Sequence, residues 1–296
     1  VSSVAATVAA AAARLRAAGF ASDDADRDAA VMARGVLGWS LADWLSHRHK
    51  DAHAEFVARL DALVSRRTTG EPVAYLLGTR EFYGRDFIVQ PGVLIPRPET
   101  ELLIDAALAW VRAVGARTVV DVGAGTGCVG ITLALEHPGL SVMATDCSPD
   151  ALAVARRNAA ILAASSVEWR LADLLDDIQE PVDLVVSNPP YVPESDRPSL
   201  PPDVRNFEPA LALFGGPDGL DVVRRLIPAA HARLAPGGAL MMEVGIHQSP
   251  VVTRLLQDAG FSEITWQPDL QQIPRVVTAK KSLIPRQRRE KTSRRH

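Results

Sequence analysis

The chain has 296 residues, of which 47% are hydrophobic and 23% charged, with a formal net charge of −3 at pH 7; these are the proportions of an ordinary globular protein with room for two domains. No stretch approaches the roughly eighteen apolar residues that span a bilayer, and the Ala-rich opening Val4–Ala13 lacks the basic and strongly apolar regions of an export signal, so a cytoplasmic location is expected. Cys128 and Cys147 have no CxxC or Cys/His company, so neither a disulfide framework nor a structural zinc site is indicated.

From Val4 to about Gly70 apolar residues recur at helical spacing, which predicts a helical bundle over residues 1–72. Ser22, followed by Asp23, Asp24 and Asp26, is expected to cap a helix reaching Leu37. Further helices are expected over Ser40–His47 and Ala52–Arg67, the second closed by Gly70 and Pro72. Residues 73–98 change to short apolar and aromatic runs broken by Gly78, Gly84 and Pro91-Gly92, the pattern of a β-hairpin linker. From Glu99 to Lys281 helices alternate with β-rich runs at Thr118–Val122, Ser141–Asp146, Val167–Asp173, Asp183–Ser187, Ala239–Val244, Glu263–Gln267 and Val276–Ala279. That alternation predicts an α/β domain over residues 99–281 with a doubly wound sheet. The remaining residues, 282–296, read as a basic, disordered tail. Residues 280–296 hold eight Lys or Arg against Glu290, a local +7 that leaves −10 for the rest. A folded nucleic-acid reader carries its positive stripe on the fold, so contact with RNA is expected only through the tail or a partner.

Chemistry concentrates at the ends of the β-rich runs. Val119-Val120-Asp121-Val122 leads into Gly123-Ala124-Gly125-Thr126-Gly127 and then a helix. Glycines there let a ligand approach the backbone, and the helix start offers N–H donors. Asp146, at the end of the next strand, is placed to accept from the hydroxyls of a ribose. Gly125, Gly127 and Gly130 also satisfy a dinucleotide fingerprint, and a tight turn without ligand has the same local form. The acid two residues before Gly123 gives D-x-G-x-G-x-G, which resembles motif I of the S-adenosylmethionine-dependent methyltransferases. In such enzymes the third strand end, here Asp173-Leu174, often faces the adenine amino group; alone, an acid at that place is equally a helix cap.

The run Val182–Ser187 delivers Asn188-Pro189-Pro190-Tyr191 at its carboxyl end. Two prolines remove two N–H donors and hold the backbone extended, leaving the carbonyls near Asn188 and Pro189 as acceptors. With the Asn188 side-chain oxygen they can grip both hydrogens of a planar NH2 group, while Tyr191 offers a flat face. That chemistry suits adenine in DNA, adenine or guanine in RNA, and glutamine in a protein; a structural turn is the plain alternative.

Three further blocks surround this core: Gly70-Glu71-Pro72-Val73-Ala74-Tyr75-Leu76-Leu77-Gly78, Arg80-Glu81-Phe82-Tyr83-Gly84, and Pro91 to Glu101 with Ile95-Pro96-Arg97-Pro98-Glu99-Thr100-Glu101. Together they resemble the HemK/PrmC family, the protein-(glutamine-N5) methyltransferases that modify class 1 peptide chain release factors. The likeness runs from about Gly70 to Ala279 and covers the helical N-terminal part in outline. It implies a seven-stranded, Rossmann-like class I methyltransferase domain, a helical domain that docks the release factor, and a hairpin between them. S-adenosyl-L-methionine would be held by Gly123, Ala124, Gly125, Thr126, Gly127, Asp146, Asp173, Leu174 and Asn188. The glutamine of a GGQ tripeptide would be gripped by Asn188, Pro189, Pro190 and Tyr191, with Asn188, Pro189 and Tyr191 catalytic. The Ile95–Glu101 segment would wall the methyl-donor pocket, and the enzyme would act as a monomer. Competing readings are an adenine-N6 methyltransferase on DNA or RNA and a release-factor-binding scaffold without turnover.

Two departures from the family pattern stand out. Relatives often carry R-D-x-x-G-x-x-R-V before the last strand, where this chain has Pro268-Asp269-Leu270-Gln271-Gln272-Ile273-Pro274-Arg275-Val276 without the glycine, and the basic extension after Lys281 lies beyond the usual end. His47, His49 and His53 have metal-like spacing but sit in a charged stretch, so no metal is expected, and Trp39 and Trp44 read as core anchors.

Overall fold

The structure, a computed structural model, describes residues 2–283. The basic tail read from the sequence lies almost wholly outside the described residues. Two compact units are present, Val1–Pro96 with Ser195–Leu213 and Arg97–Glu194 with Phe214 onward.

In the first unit, helices span Val4–Ala17, Ser22–Leu37, Leu41–His47 and Ala54–Arg67. The expected cap at Ser22 is corrected: the cap position is Ala21, which makes no side-chain bond, and Ser22 is the first helical residue. Asp23 and Asp24 in the first turn complement the helix dipole there instead. Ser40 does cap its helix, in a reciprocal box with Asp43. The apolar stripes meet in a core of Leu15, Ala29, Met32, Leu60 and Val64, with Trp39 and Trp44 packed on its edge.

Inside this unit the Arg67 guanidinium is buried. Its Nε donates to Asp28 at 2.9 Å and one terminal nitrogen to the carbonyls of Gly70 and Glu71; it lies 4.5 Å from the Phe20 ring centre. The other terminal nitrogen reaches Asp203 at 3.5 Å, and the Ile95 N–H donates to buried Glu208. Asp203 and Glu208 belong to a stretch carrying two short helices, Pro202–Phe207 and Ala210–Leu213. Sequence patterning placed this stretch in the sheet domain; the structure groups it with the helical unit. Residues 73–98 also differ in part from expectation, because Val73–Leu77 is a short helix ending at Gly78 in the left-handed region. The hairpin follows as β1 (Thr79–Phe82) and β2 (Arg85–Ile88). Tyr83 and Gly84, with φ of 52° and 73°, form its two-residue turn.

The second unit is built on seven strands: β3 (Thr118–Val122), β4 (Ser141–Asp146), β5 (Glu168–Leu171), β6 (Val182–Ser187), β7 (Leu234–Glu243), β8 (Phe261–Pro268) and β9 (Pro274–Lys281). Their order is β5-β4-β3-β6-β7-β9-β8, parallel except for the antiparallel pairs that β9 makes with β7 and β8. The central strands are near-continuous apolar runs because both faces are covered, and Val120, Val185, Leu240 and Val277 are wholly buried. The chain goes from β3 outward to β4 and β5, then returns to pair β6 on the other side of β3. That reversal makes the carboxyl ends of β3 and β6 the switch point where open α/β sheets bind ligands. Val122 lies opposite Ser187, whose Oγ donates to the Val122 carbonyl at 2.7 Å, so the glycine turn and Asn188 leave the sheet side by side.

The loop lacking the family glycine closes between β8 and β9. Asp269 accepts from the N–H groups of Gln271 and Ile273 and from Arg275, and Gln272, at the glycine's position, takes φ of 63°.

Candidate active site

The glycine turn follows β3 as expected, and its glycines divide into two kinds. Gly123 and Gly125 have φ of 80° and 54°, and a Cβ on either would meet nothing within 4 Å. Gly127 has φ of 80°, but its Cβ would come 2.8 Å from Trp169, 2.9 Å from Ile131 and 3.1 Å from Ala155. Open backbone at the first two admits a ligand; the third serves close packing of the following helix, Cys128–Glu136. The N–H groups of the turn itself, ahead of the helix start where donors are expected, are taken up within the protein. Gly123 and Ala124 both donate to the Thr145 carbonyl, Gly125 to Asp146 and Gly127 to the Ala124 carbonyl. Backbone donors this close to a sheet find protein acceptors first, so Gly123 and Gly125 offer close approach more than hydrogen bonds. Thr126 is buried, and its carbonyl accepts from Asn158 at 2.9 Å.

Asp121 is buried, and its Oδ2 accepts the Gly130 N–H at 2.9 Å, tying β3 to the helix start. Burial pushes its carboxyl up to about 7, against the Gly130 N–H, with the nearby charge of Asp146 adding to the rise. Asp146 takes one N–H on each oxygen, Gly125 at 2.9 Å and Ser148 at 2.8 Å. It thereby braces the glycine turn, and each oxygen keeps a lone pair for a ribose hydroxyl. Its pKa is also raised by burial. Farther along, β5 stops at Leu171, earlier than the predicted strand end, and Asp173 is exposed in an ion pair with Arg225. Leu174 has φ of 52°, a left-handed turn held by its carbonyl accepting from Thr145 Oγ1 at 2.7 Å. The pair thus sits in a turn beyond the strand, where sequence reading had it on the strand.

Asn188 to Tyr191 follow β6. Among the described residues no donor is placed on the carbonyls of Asn188 or Pro189. The Tyr191 carbonyl accepts from Gln248 Nε2 at 2.9 Å, and Gln248 Oε1 takes the Gly245 N–H. Gly215 and Gly219 lie against the carbonyls of Pro190 and Tyr191 with no room for a Cβ. The motif is therefore clamped from behind by groups that sequence reading did not single out.

The larger surprise is Glu243, the last residue of β7, almost fully buried. Its Oε2 accepts from Thr100 Oγ1 at 2.7 Å and its Oε1 from the Tyr191 hydroxyl at 2.9 Å. Thr100 Oγ1 in turn accepts from Asn188 Nδ2 at 3.0 Å. Burial raises the pKa of Glu243 against the two hydroxyl donors, and burial followed by that carboxylate raises the pKa of Tyr191. Tyr191 was expected to offer only a flat face; its hydroxyl is engaged. One signal for Glu243 is in the sequence: it is the sole charged residue in the apolar run Ala239–Val244.

An open glycine turn beside an acid with spare lone pairs fits a nucleoside ligand, and the acceptors of the Asn188 turn adjoin it. Residues 6–78 match the PrmC N-terminal domain and residues 99–199 the methyltransferase small domain. Release factor glutamine methyltransferase of Koribacter versatilis is 44% identical over 247 residues, covering 83% of this chain and 87% of that protein. Its counterpart from Cereibacter sphaeroides is 43% identical over 268 residues, covering 90% and 94%. The chain belongs to the release factor glutamine methyltransferase family. It is an S-adenosylmethionine-dependent methyltransferase, as the motif I resemblance implied. A solved methyltransferase from Pyrococcus furiosus, 16% identical with a TM-score of 0.50 over 75% of this chain and 98% of that one, shares the fold. Among the described residues of the enzyme no helix is long and apolar enough to cross a membrane.

Proposed function

We propose that the enzyme methylates the side-chain amide nitrogen, N5, of the glutamine in the GGQ tripeptide of class 1 release factors. Transfer to a planar NH2 group is supported by the unengaged acceptors at the mouth of β6, and the family relationship supports glutamine among such groups. Asn188 turns its Nδ2 to Thr100, so its Oδ1 faces the other way, and among the described residues the Pro189 carbonyl has no donor.

An amide nitrogen is a poor nucleophile because its lone pair is delocalised into the carbonyl. The bound cofactor supplies an electrophilic methyl carbon on a sulfonium. Asn188 Oδ1 and the Pro189 carbonyl would each take one hydrogen of the substrate NH2, directing the nitrogen lone pair toward the glycine turn. The same oxygens stabilise the positive charge that grows on nitrogen as the methyl arrives. The methylated, protonated amide is acidic enough to release its proton to one of these acceptors or to water, so no strong base is needed. Pro190 stiffens the turn, and Tyr191, held through its hydroxyl, packs against the amide. Gly123, Ala124 and Gly125 would line the cofactor's methionine side, with Thr126 and Gly127 holding that turn against the following helix, while Asp146 would take the ribose and the Asp173-Leu174 turn would border the adenine.

The helical unit would dock the release factor, with the enzyme acting as a cytoplasmic monomer that needs no direct hold on nucleic acid. Mass spectrometry of a release factor incubated with enzyme and cofactor tests the reading. A gain of one methylene mass on the GGQ glutamine is expected. An unmodified factor alongside methylated polynucleotide would refute it in favour of adenine as substrate, with an affinity that falls steeply with salt.

A further inference from the structure

Glu243 has no part in the chemistry just described, yet it is a carboxylate buried in the sheet unit, 1% exposed, at the end of an apolar strand. A carboxylate is retained in such a place only when donors compensate its lost hydration, and here two hydroxyls do so, Thr100 and Tyr191. The consequence lies one residue farther on. A threonine hydroxyl has a single hydrogen, and Thr100 commits it to Glu243. Toward Asn188, Thr100 can then only accept, so the Asn188 amide must present its nitrogen, as it does at 3.0 Å. A flipped amide would set Oδ1 against the Thr100 oxygen, two acceptors in contact with no hydrogen between them, which the part-buried setting makes unfavourable.

We propose that Thr100 and Glu243 are positioning residues that fix the Asn188 side-chain amide with Oδ1 turned to the substrate nitrogen. This rests on the function proposed above and adds a chain of three groups from β7 through Thr100, at the cap position of the helix Glu101–Val114, to the Asn188 turn. With Glu243 accepting at its far end, the chain aligns its donors in one direction and leaves Asn188 Oδ1 turned to the substrate nitrogen as that nitrogen becomes positive. The hold on the Tyr191 hydroxyl by the other oxygen of Glu243 places the ring in the same constellation.

The test compares Thr100→Val, which keeps the shape and loses the hydroxyl, with Thr100→Ser, which keeps the hydroxyl. Thr100→Val is expected to lower kcat on the order of 10–100-fold, the scale of a misplaced catalytic group. The cofactor Kd should stay within about threefold, as for an interaction made in the transition state alone. Thr100→Ser should recover most of the rate. Because Thr100 acts through Asn188, the double variant with Asn188→Ala should be no slower than Asn188→Ala alone. A readout without substrate is the exchange of the Asn188 side-chain amide hydrogens by NMR, slowed in wild type and Thr100→Ser and fast in Thr100→Val. Additive losses in the double variant, equal losses of kcat and cofactor affinity, or unchanged Asn188 exchange in Thr100→Val would each overturn the proposal. A wild-type enzyme that leaves release factor unmodified would refute the assigned substrate, while the exchange measurement would still decide the positioning.

Discussion

The three glycines after β3 look alike in sequence, and the structure predicts that replacing them has different results. At Gly127 an alanine meets two penalties. Its φ of 80° lies where a Cβ is strained, worth about 1 kcal/mol. The Cβ would also press on Trp169, Ile131 and Ala155 at 2.8–3.1 Å, and overpacking of that kind costs about 1–3 kcal/mol. The sum of roughly 2–4 kcal/mol corresponds to a fall in Tm of roughly 5–15 °C for a unit of this size. At Gly125 the φ of 54° carries the strain alone, since the Cβ meets nothing; the expected fall is roughly 2–4 °C. That same open space is where the cofactor must approach, so Gly125→Ala should weaken cofactor binding by about tenfold or more, about 1.4 kcal/mol. Calorimetric unfolding without ligand, followed by titration with S-adenosylhomocysteine, separates the two. Equal Tm losses in both variants, or a Gly125→Ala enzyme that binds as tightly as wild type, would refute the division of labour.

Asn188→Ala should lower kcat by about 100-fold or more, as for removal of one charge-stabilising contact, while the cofactor Kd measured by titration changes little. Arg67→Ala takes away the partner 2.9 Å from buried Asp28 and leaves it only Arg27 at 3.8 Å, so unfolding of the helical unit should become easier by about 3 kcal/mol, the low end for breaking a buried pair; chemical denaturation measures it. Burial pushes the Asp121 carboxyl up to about 7, well above the usual carboxylate range. Its raised pKa binds a proton more tightly in the native state, so its contribution to stability is complete below pH ~4 and is lost as pH rises through about 7. Asp121→Asn, which keeps an acceptor for the Gly130 N–H, should therefore gain Tm relative to wild type on going from pH 5 to pH 8. Gln272→Gly relieves a left-handed φ at a position where relatives often carry glycine, and should raise stability by about 0.5–1 kcal/mol in denaturant titrations.

Much of this protein is legible in one dimension because its determinants are local. Helical periodicity marks the first bundle, and apolar runs mark the strands of the sheet within a few residues. The glycine turn, Asp146 and the Asn188-Pro189-Pro190-Tyr191 turn are each short, with stereochemistry that restricts their use, so their residues stand out in the sequence alone. Ser22 failed as a cap and Asp173 as a strand end for the complementary reason: where an element starts or stops depends on a turn or two of backbone that neighbouring contacts can shift.

What the tertiary structure alone decided involves groups far apart in the chain. Thr100 and Glu243 are 143 positions apart, and Arg67 and Asp203 are 136; no periodicity links such pairs. The placement of residues 195–213 with the helical unit, the packing that sets Gly127 apart from Gly125, and the direction of the Asn188 amide all depend on which surfaces meet. Local pattern determined the parts and the chemistry at each strand end. Only β3 beside β6, with a buried carboxylate at the end of β7, decided which way those groups point, because orientation is set by packing and by hydrogen-bond partners brought in from elsewhere in the chain.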